Sequence, residues 1–235
     1  MLLLWLLACA PNVYRMPGPL AGLGREPAPE WTLPREAPAP APRAPRRPTT
    51  SPMPTEIARA ASGFVGDSAL VVNGERFRFD CSGLVEAALA SAGCRFEGSS
   101  LDLFEQAKTL RVLHRKRMPS PGDVAFFDDT YDANRNGRVD DPLSHVAVVE
   151  EVDKAGTITL VHVGSKGVTR FLMNLRRPED RHDAAGNLIN SYIRSKRGGD
   201  TPRTRYLAGE LWVAFGSFHA APPGPYVASA DLSTR

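Results

Sequence analysis

Cysteine is scarce in this sequence: three in 235 residues, Cys9, Cys81 and Cys94. So small and odd a set excludes a disulfide framework, and no pair has the Cys-x-x-Cys spacing of a zinc site. If Cys81 opens a helix running toward Cys94, the rise of ~1.5 Å per residue sets them roughly 20 Å apart. A disulfide needs Cα atoms about 4.4–6.8 Å apart, so Cys94 reads as a small buried hydrophobe. Charge of one sign is also scarce: 29 basic against 26 acidic residues leave +3. Six arginines from Arg15 to Arg47, set against Glu26, Glu30 and Glu36, account for all of that excess. The remainder is formally neutral, which excludes a nucleic-acid-binding domain. There are no internal repeats, and the apolar run at the N-terminus is too short to span a bilayer. A hydrophobic content of 42%, with 8% aromatics, suffices for one good core but not for two large domains.

That N-terminal run, Met1 to Ala8 followed by Cys9, resembles the lipobox of bacterial lipoproteins, with Leu6, Leu7 and Ala8 before the modified cysteine. It is short for a signal sequence and no Lys or Arg precedes it; a start codon assigned too late would explain both. The expectation is a signal segment over 1–9, export to the periplasm or outer membrane, and membrane contact only through a lipid on Cys9. The alternative is an apolar N-terminus of a soluble protein. Residues 10–54 hold thirteen of the 21 prolines. Such a stretch favours extended polyproline II and builds no core, so it reads as a spacer. Its arginines are either simply solvated or brush an acidic polymer or anionic lipid.

A globular part is expected over 55–219, with a flexible tail over 220–235. Residues 55–62 read as a helix capped by Thr55. Positions 81, 84, 85, 88, 89 and 92 trace one helical face, and Gly93 ends that helix. A further helix is expected over 101–110. After Pro119-Ser-Pro-Gly122 the period changes, and 123–127, 144–150 and 157–163 read as short strands. The polar stretch 176–205 reads as a long loop and 210–215 as a last strand. Helices followed by strands indicate α+β, with the helices packed on an antiparallel sheet.

Cys81 sits where chemistry is favoured. Unpaired N–H groups and the dipole at a helix start stabilise a thiolate. The same donors, at Cys81 and Ser82, can receive an oxyanion, and Asp80 can cap the helix. Alternation puts His145, Ala147 and Val149 on one strand face, and Ile158, Leu160 and His162 on another. If these strands form a hairpin, His162 approaches His145. His114 in a basic run, His182 in a charged loop and His219 near the tail read as solvated.

Phe79-Asp80-Cys81-Ser82-Gly83-Leu84-Val85 resembles the nucleophile motif of NlpC-type cysteine peptidases of bacterial cell walls. Pro121-Gly122-Asp123-Val124-Ala125-Phe126-Phe127 resembles the entry to that family's first core strand, and Ser144-His145-Val146-Ala147-Val148-Val149-Glu150 its histidine strand. The histidine strand looks equally like the sister CHAP group, cysteine- and histidine-dependent amidohydrolases/peptidases. The resemblance runs over residues 57–167. It implies a small papain-like α+β domain in which Cys81 is nucleophile, His145 base and His162 the orienter of the imidazole. It also implies a stem peptide of peptidoglycan as substrate and no required cofactor. The segment before the cysteine departs from the family pattern: it reads Gly63-Phe-Val-Gly66, and no tyrosine occurs between Tyr14 and Tyr131.

Between the first two strands, Asp132, Asn134 and Asn136 with Gly137 repeat the start of an EF-hand-type calcium loop. Arg138 could add its carbonyl, and Asp140 falls at the ninth place. Leu143 stands where the closing acid belongs, so the alternatives are a weak structural calcium site and a plain Asn/Gly-rich loop. The leading expectation is a monomeric hydrolase working through an acyl-enzyme. Its rival is a catalytically degenerate lipoprotein domain that binds wall fragments or a protein partner. Acyl or amide transfer by the same cysteine is a third.

Overall fold

The computed structural model describes residues 53–198 and 200–221. The signal segment with Cys9, the proline-rich stretch up to residue 52, and the tail from residue 222 lie outside them. None of the described helices is long and apolar enough to cross a membrane.

Helix α1 (Met53–Gly63) starts two residues before the expected Thr55, and the sulfur of Met53 lies 3.4 Å from Cys94 Sγ. A short hairpin of β1 (Leu70–Val72) and β2 (Glu75–Phe77) follows. Next come α2 (Cys81–Ser91) and α3 (Ser100–Thr109). Ser99 and Asp102 close a capping box on α3. Strands β3 (Leu113–His114), β4 (Val124–Phe127), β5 (His145–Val152), β6 (Thr157–Gly164), β7 (Gly167–Asn174) and β8 (Trp212–Gly216) form one antiparallel sheet in the order β3-β8-β4-β5-β6-β7. A single turn, α4 (Ala208–Leu211), precedes β8. The fold is therefore α+β, with the cysteine helix laid on an antiparallel sheet.

The sheet is buried on both faces, and alternation along β5 divides its side chains between two cores. Val146 and Val148, with Val161 of β6, meet Leu84, Val85 and Leu89 of α2. Ala147 and Val149, with Ile158 and Leu160, meet Phe127, Phe171 and Leu211 on the other side. The periodicity suggested one buried face for α2, yet every residue from Ser82 to Leu89 is buried. Even Glu86 is enclosed, because Arg78 Nη2 (2.7 Å) and the N–H of Gly98 (2.9 Å) neutralise its carboxylate.

Three regions differ from expectation. Strand β7 went unread although Gly164-Ser-Lys-Gly167 is a two-residue hairpin signal. The expected strand at 210 starts at Trp212, because Glu210 accepts the N–H groups of Tyr206 and Leu207 and holds α4 as a helical turn. The 176–205 loop is fastened rather than loose. Asn190, fully buried, donates to the carbonyls of Arg177 and Asp180 and accepts from the N–H of Asn174 and Gly209.

His114 and His219 are not solvated as expected. Each places Nε2 at 3.1 Å from an oxygen of Asp123, which also accepts from Ser217 Oγ and the N–H of Ser120. His182 is exposed. Burial alone would raise the Asp123 carboxyl; the bonds from His219, Ser217 and Ser120 outweigh it and hold the group below the usual range. A folded value below the unfolded one stabilises the protein above pH ~4, and the contribution is lost as pH falls through the folded value. Asp123→Asn is therefore expected to cost about 1.5–3 kcal/mol at pH 7. Denaturant titrations at pH 7 and pH 3 check this: the gap between wild type and variant should shrink at the lower pH.

Candidate active site

The turn that presents Cys81 is set by its neighbours. Asp80, in an extended conformation, accepts the N–H of Gly83 at 2.7 Å and caps α2. A Cβ on Gly83 would lie 2.0 Å from the carbonyl oxygen of Arg78. Only glycine lets the incoming chain cross the first turn so closely, which explains the glycine two residues after Cys81. Among the described residues the N–H of Cys81 donates to no protein acceptor, so it is free to meet an oxyanion. Asp80 itself is a carboxylate and serves as the cap, not as a donor.

Cys81 is half-buried. The N–H of Val146 and the hydroxyl and N–H of Ser82 favour the charged form of its sulfur. Burial nevertheless dominates and pushes the thiol up, with the Asp80 charge adding to it. The field at the helix start favours the thiolate, as expected, but desolvation of the sulfur exceeds it.

His145 opens β5, and its Nε2 lies 2.8 Å from Nδ1 of His162 on β6. The hairpin therefore unites the two histidines, as the alternation implied. Phe127 packs 6.2 Å from the His145 ring and Phe171 4.7 Å from that of His162. In this apolar box burial, with the neighbouring His162, lowers His145 to about 3, and burial lowers His162 to about 4. Gly164 leaves room for His162, since a Cβ there would meet that ring at 3.1 Å. At neutral pH the site rests as a neutral thiol beside neutral imidazoles. Since Nε2 of His145 is committed to His162, Nδ1 is the nitrogen left for the thiol proton. Among the described residues no hydrogen bond joins Cys81 to His145.

Residue Tyr131 escaped the sequence reading because it follows the nucleophile by fifty positions. Burial raises its phenol, as do the charges of Cys81, Asp141 and Asp80, so the ring stands within electrostatic reach of the thiol. Its neighbour Thr130 is tied to Ser144, beside His145, by two bonds of 2.9 Å. Tyr131 is half-exposed.

The calcium-loop residues are brought together as a turn. Asp132 accepts the N–H groups of Asn136 and Gly137, and Asn136 accepts that of Arg138. Asp140 is bonded by the side-chain amides of Asn134 and Asn136. Arg197 reaches Asp132 at 3.2 Å. Among the described residues no cluster of three or more His, Cys, Asp or Glu is placed to hold a metal.

Residues 72–163 match the family model of the CHAP domain. The matched segment runs from the end of β1 into β6 and so contains Cys81, His145 and His162. Strand β7, the 176–205 loop, α4 and β8 lie beyond the matched segment. A Staphylococcus aureus protein of the NLP/P60 family, described as similar to lipoprotein, aligns at 23% identity with a TM-score of 0.35. The alignment covers 51% of this chain and 36% of that one. No curated protein matches the sequence.

Proposed function

We propose that the chain is an exported cysteine hydrolase that cleaves an amide or peptide bond in the peptide part of peptidoglycan. The observation that carries this reading is the His145–His162 hydrogen bond of 2.8 Å, set at the strand end whose next N–H acts on the Cys81 thiol. In the first step the thiol proton passes to Nδ1 of His145 while Nε2–H remains donated to His162. The sulfur attacks the carbonyl carbon, and the oxygen receives the displaced electron pair beside the Cys81 N–H. Collapse breaks the C–N bond, and the amine leaves with the proton held by His145. Water, deprotonated in turn by His145, hydrolyses the thioester and frees Cys81.

The neutral resting state makes His145 a true general base, because attack and proton transfer must coincide. With its imidazole lowered to about 3, the acid limb of kcat/KM should lie well below pH 6.5. Cys81→Ala and His145→Ala should each lose on the order of 10⁴-fold or more, without additivity in the pair. His162→Ala should cost less, roughly 10²-fold, and shift the acid limb. Hydrolysis of purified wall, followed by mass analysis of fragments, measures all three. Undiminished activity of Cys81→Ala sinks the mechanism.

A second reading has one observation in its favour: His145 pairs with His162, and among the described residues no hydrogen bond joins it to the thiol. It makes the domain a binder of wall fragments without turnover. Alkylation separates the two: iodoacetamide should modify Cys81 much faster than buried Cys94, and His145→Ala should slow it.

The lipid anchor on Cys9 is part of the proposal. Wild type extended to its true start codon should partition into detergent and Cys9→Ala should stay aqueous; equal partitioning removes the anchor. We also propose a weak structural calcium site at Asp132, Asn134, Asn136, the Arg138 carbonyl and Asp140, with Kd about 10⁻⁴–10⁻³ M. Arg197 competes for Asp132 there. Millimolar calcium, against chelator, should raise the melting temperature by a few degrees, and more in Arg197→Gln. Superimposed melts of both proteins refute it.

A further inference from the structure

Two segments outside the strands, the 137–139 turn of the β4–β5 loop and residues 201–205 of the long loop, enclose a groove of about 540 Å³. Arg138, Arg203 and Arg205 line it, and among the described residues none of their guanidinium groups has an ion-pair partner. The one acid on the lining is Asp129, whose side chain already accepts the N–H of Asp141 at 2.8 Å. Val139 and Leu211 complete the wall with apolar surface.

The groove is held open by a knot of ionic bonds. Arg194, its side chain 2% exposed, spans both walls: Nη1 donates to the carbonyl of Asp129 at 2.5 Å and Nη2 reaches Asp200 at 3.3 Å. Asp200 also takes the N–H of Arg197 at 2.6 Å and the hydroxyl of Tyr206 at 3.0 Å. Arg197 crosses back to Asp132. With the side chains of Arg194 and Asp200 enclosed at its centre, this knot fixes the two walls before any ligand arrives, so the arginines need little reorganisation to bind.

We propose that this groove is a subsite for the free carboxylates of a peptide substrate, held by Arg138, Arg203 and Arg205. The inference rests on the hydrolase reading for the identity of the peptide. Guanidinium forks match carboxylates in pairs, and the Val139–Leu211 wall suits an aliphatic peptide flank better than a bare phosphate. The β4–β5 loop links this groove to the reaction centre: its first part carries Tyr131 near Cys81, its middle carries Arg138, and its end is Ser144–His145. Most of the groove's arginines lie beyond the CHAP segment, so the selectivity belongs to this chain's own extension.

The test uses full-length Cys81→Ala, which binds without turnover. Calorimetry compares a wall tetrapeptide bearing free carboxylates with the same peptide as carboxamides, and polyphosphate as a competing anion. The expected result is at least about tenfold tighter binding of the carboxylate form, lost when Arg138, Arg203 and Arg205 are all changed to Gln. Arg203→Gln alone, an exposed change that leaves the knot intact, should weaken it about threefold. Equal binding of the two peptides overturns the proposal, as does a preference that survives in the triple variant or polyphosphate binding in place of peptide. Wild-type hydrolysis separates the two claims. Cleavage of both peptides at equal KM leaves the hydrolase and removes the subsite. A carboxylate preference without cleavage of either peptide leaves the subsite and removes the hydrolase.

Discussion

The hydrogen bond between His145 and His162 exists because β5 and β6 pair in a register that sets Val149 beside Leu160 and Val148 beside Val161. A slip of one residue would turn His145 into the α2 layer and Val146 into the phenylalanine layer. Hydrophobic cores on both faces forbid that slip, since each would lose its branched side chains. The geometry of the two histidines thus inherits its precision from packing, and the Val146 N–H of the same strand acts on the thiol.

Burial that fixes the register also sets the proton inventory. Enclosing two imidazoles against Phe127 and Phe171 disfavours their charged forms, and enclosing the thiol disfavours thiolate. The helix start works against this for the sulfur, with donors from Ser82 and Val146, but loses to desolvation. Burial thus favours the neutral thiol beside neutral imidazoles.

Outside the catalytic strands, polar residues supply the order. Glu86 under Arg78, Asp123 under two histidines and Asn190 among four backbone groups each fasten a segment that has no extended apolar face of its own. Arg194 does the same for the long loop against the β4–β5 connection. Its Nε finds no partner among the described residues, a cost offset by the two bonds its other nitrogens make.

Local signals determined much of this protein. Alternation and β-branched residues announced β4, β5 and β6, the Asp80-to-Gly83 cap announced the start of α2, and the same alternation predicted that His162 would reach His145. These features depend on neighbours within a few residues or on one hairpin, so they are written in the order of the chain. Tertiary structure alone decided that burial would raise the Cys81 thiol, because that burial comes from packing against the core, and it decided the placement of Tyr131. It decided too that His114, His219, Asn190 and Arg194 would be enclosed. Each of those contacts joins segments distant in the sequence, and no local pattern of polar residues distinguishes a solvated loop from one tied to a buried partner.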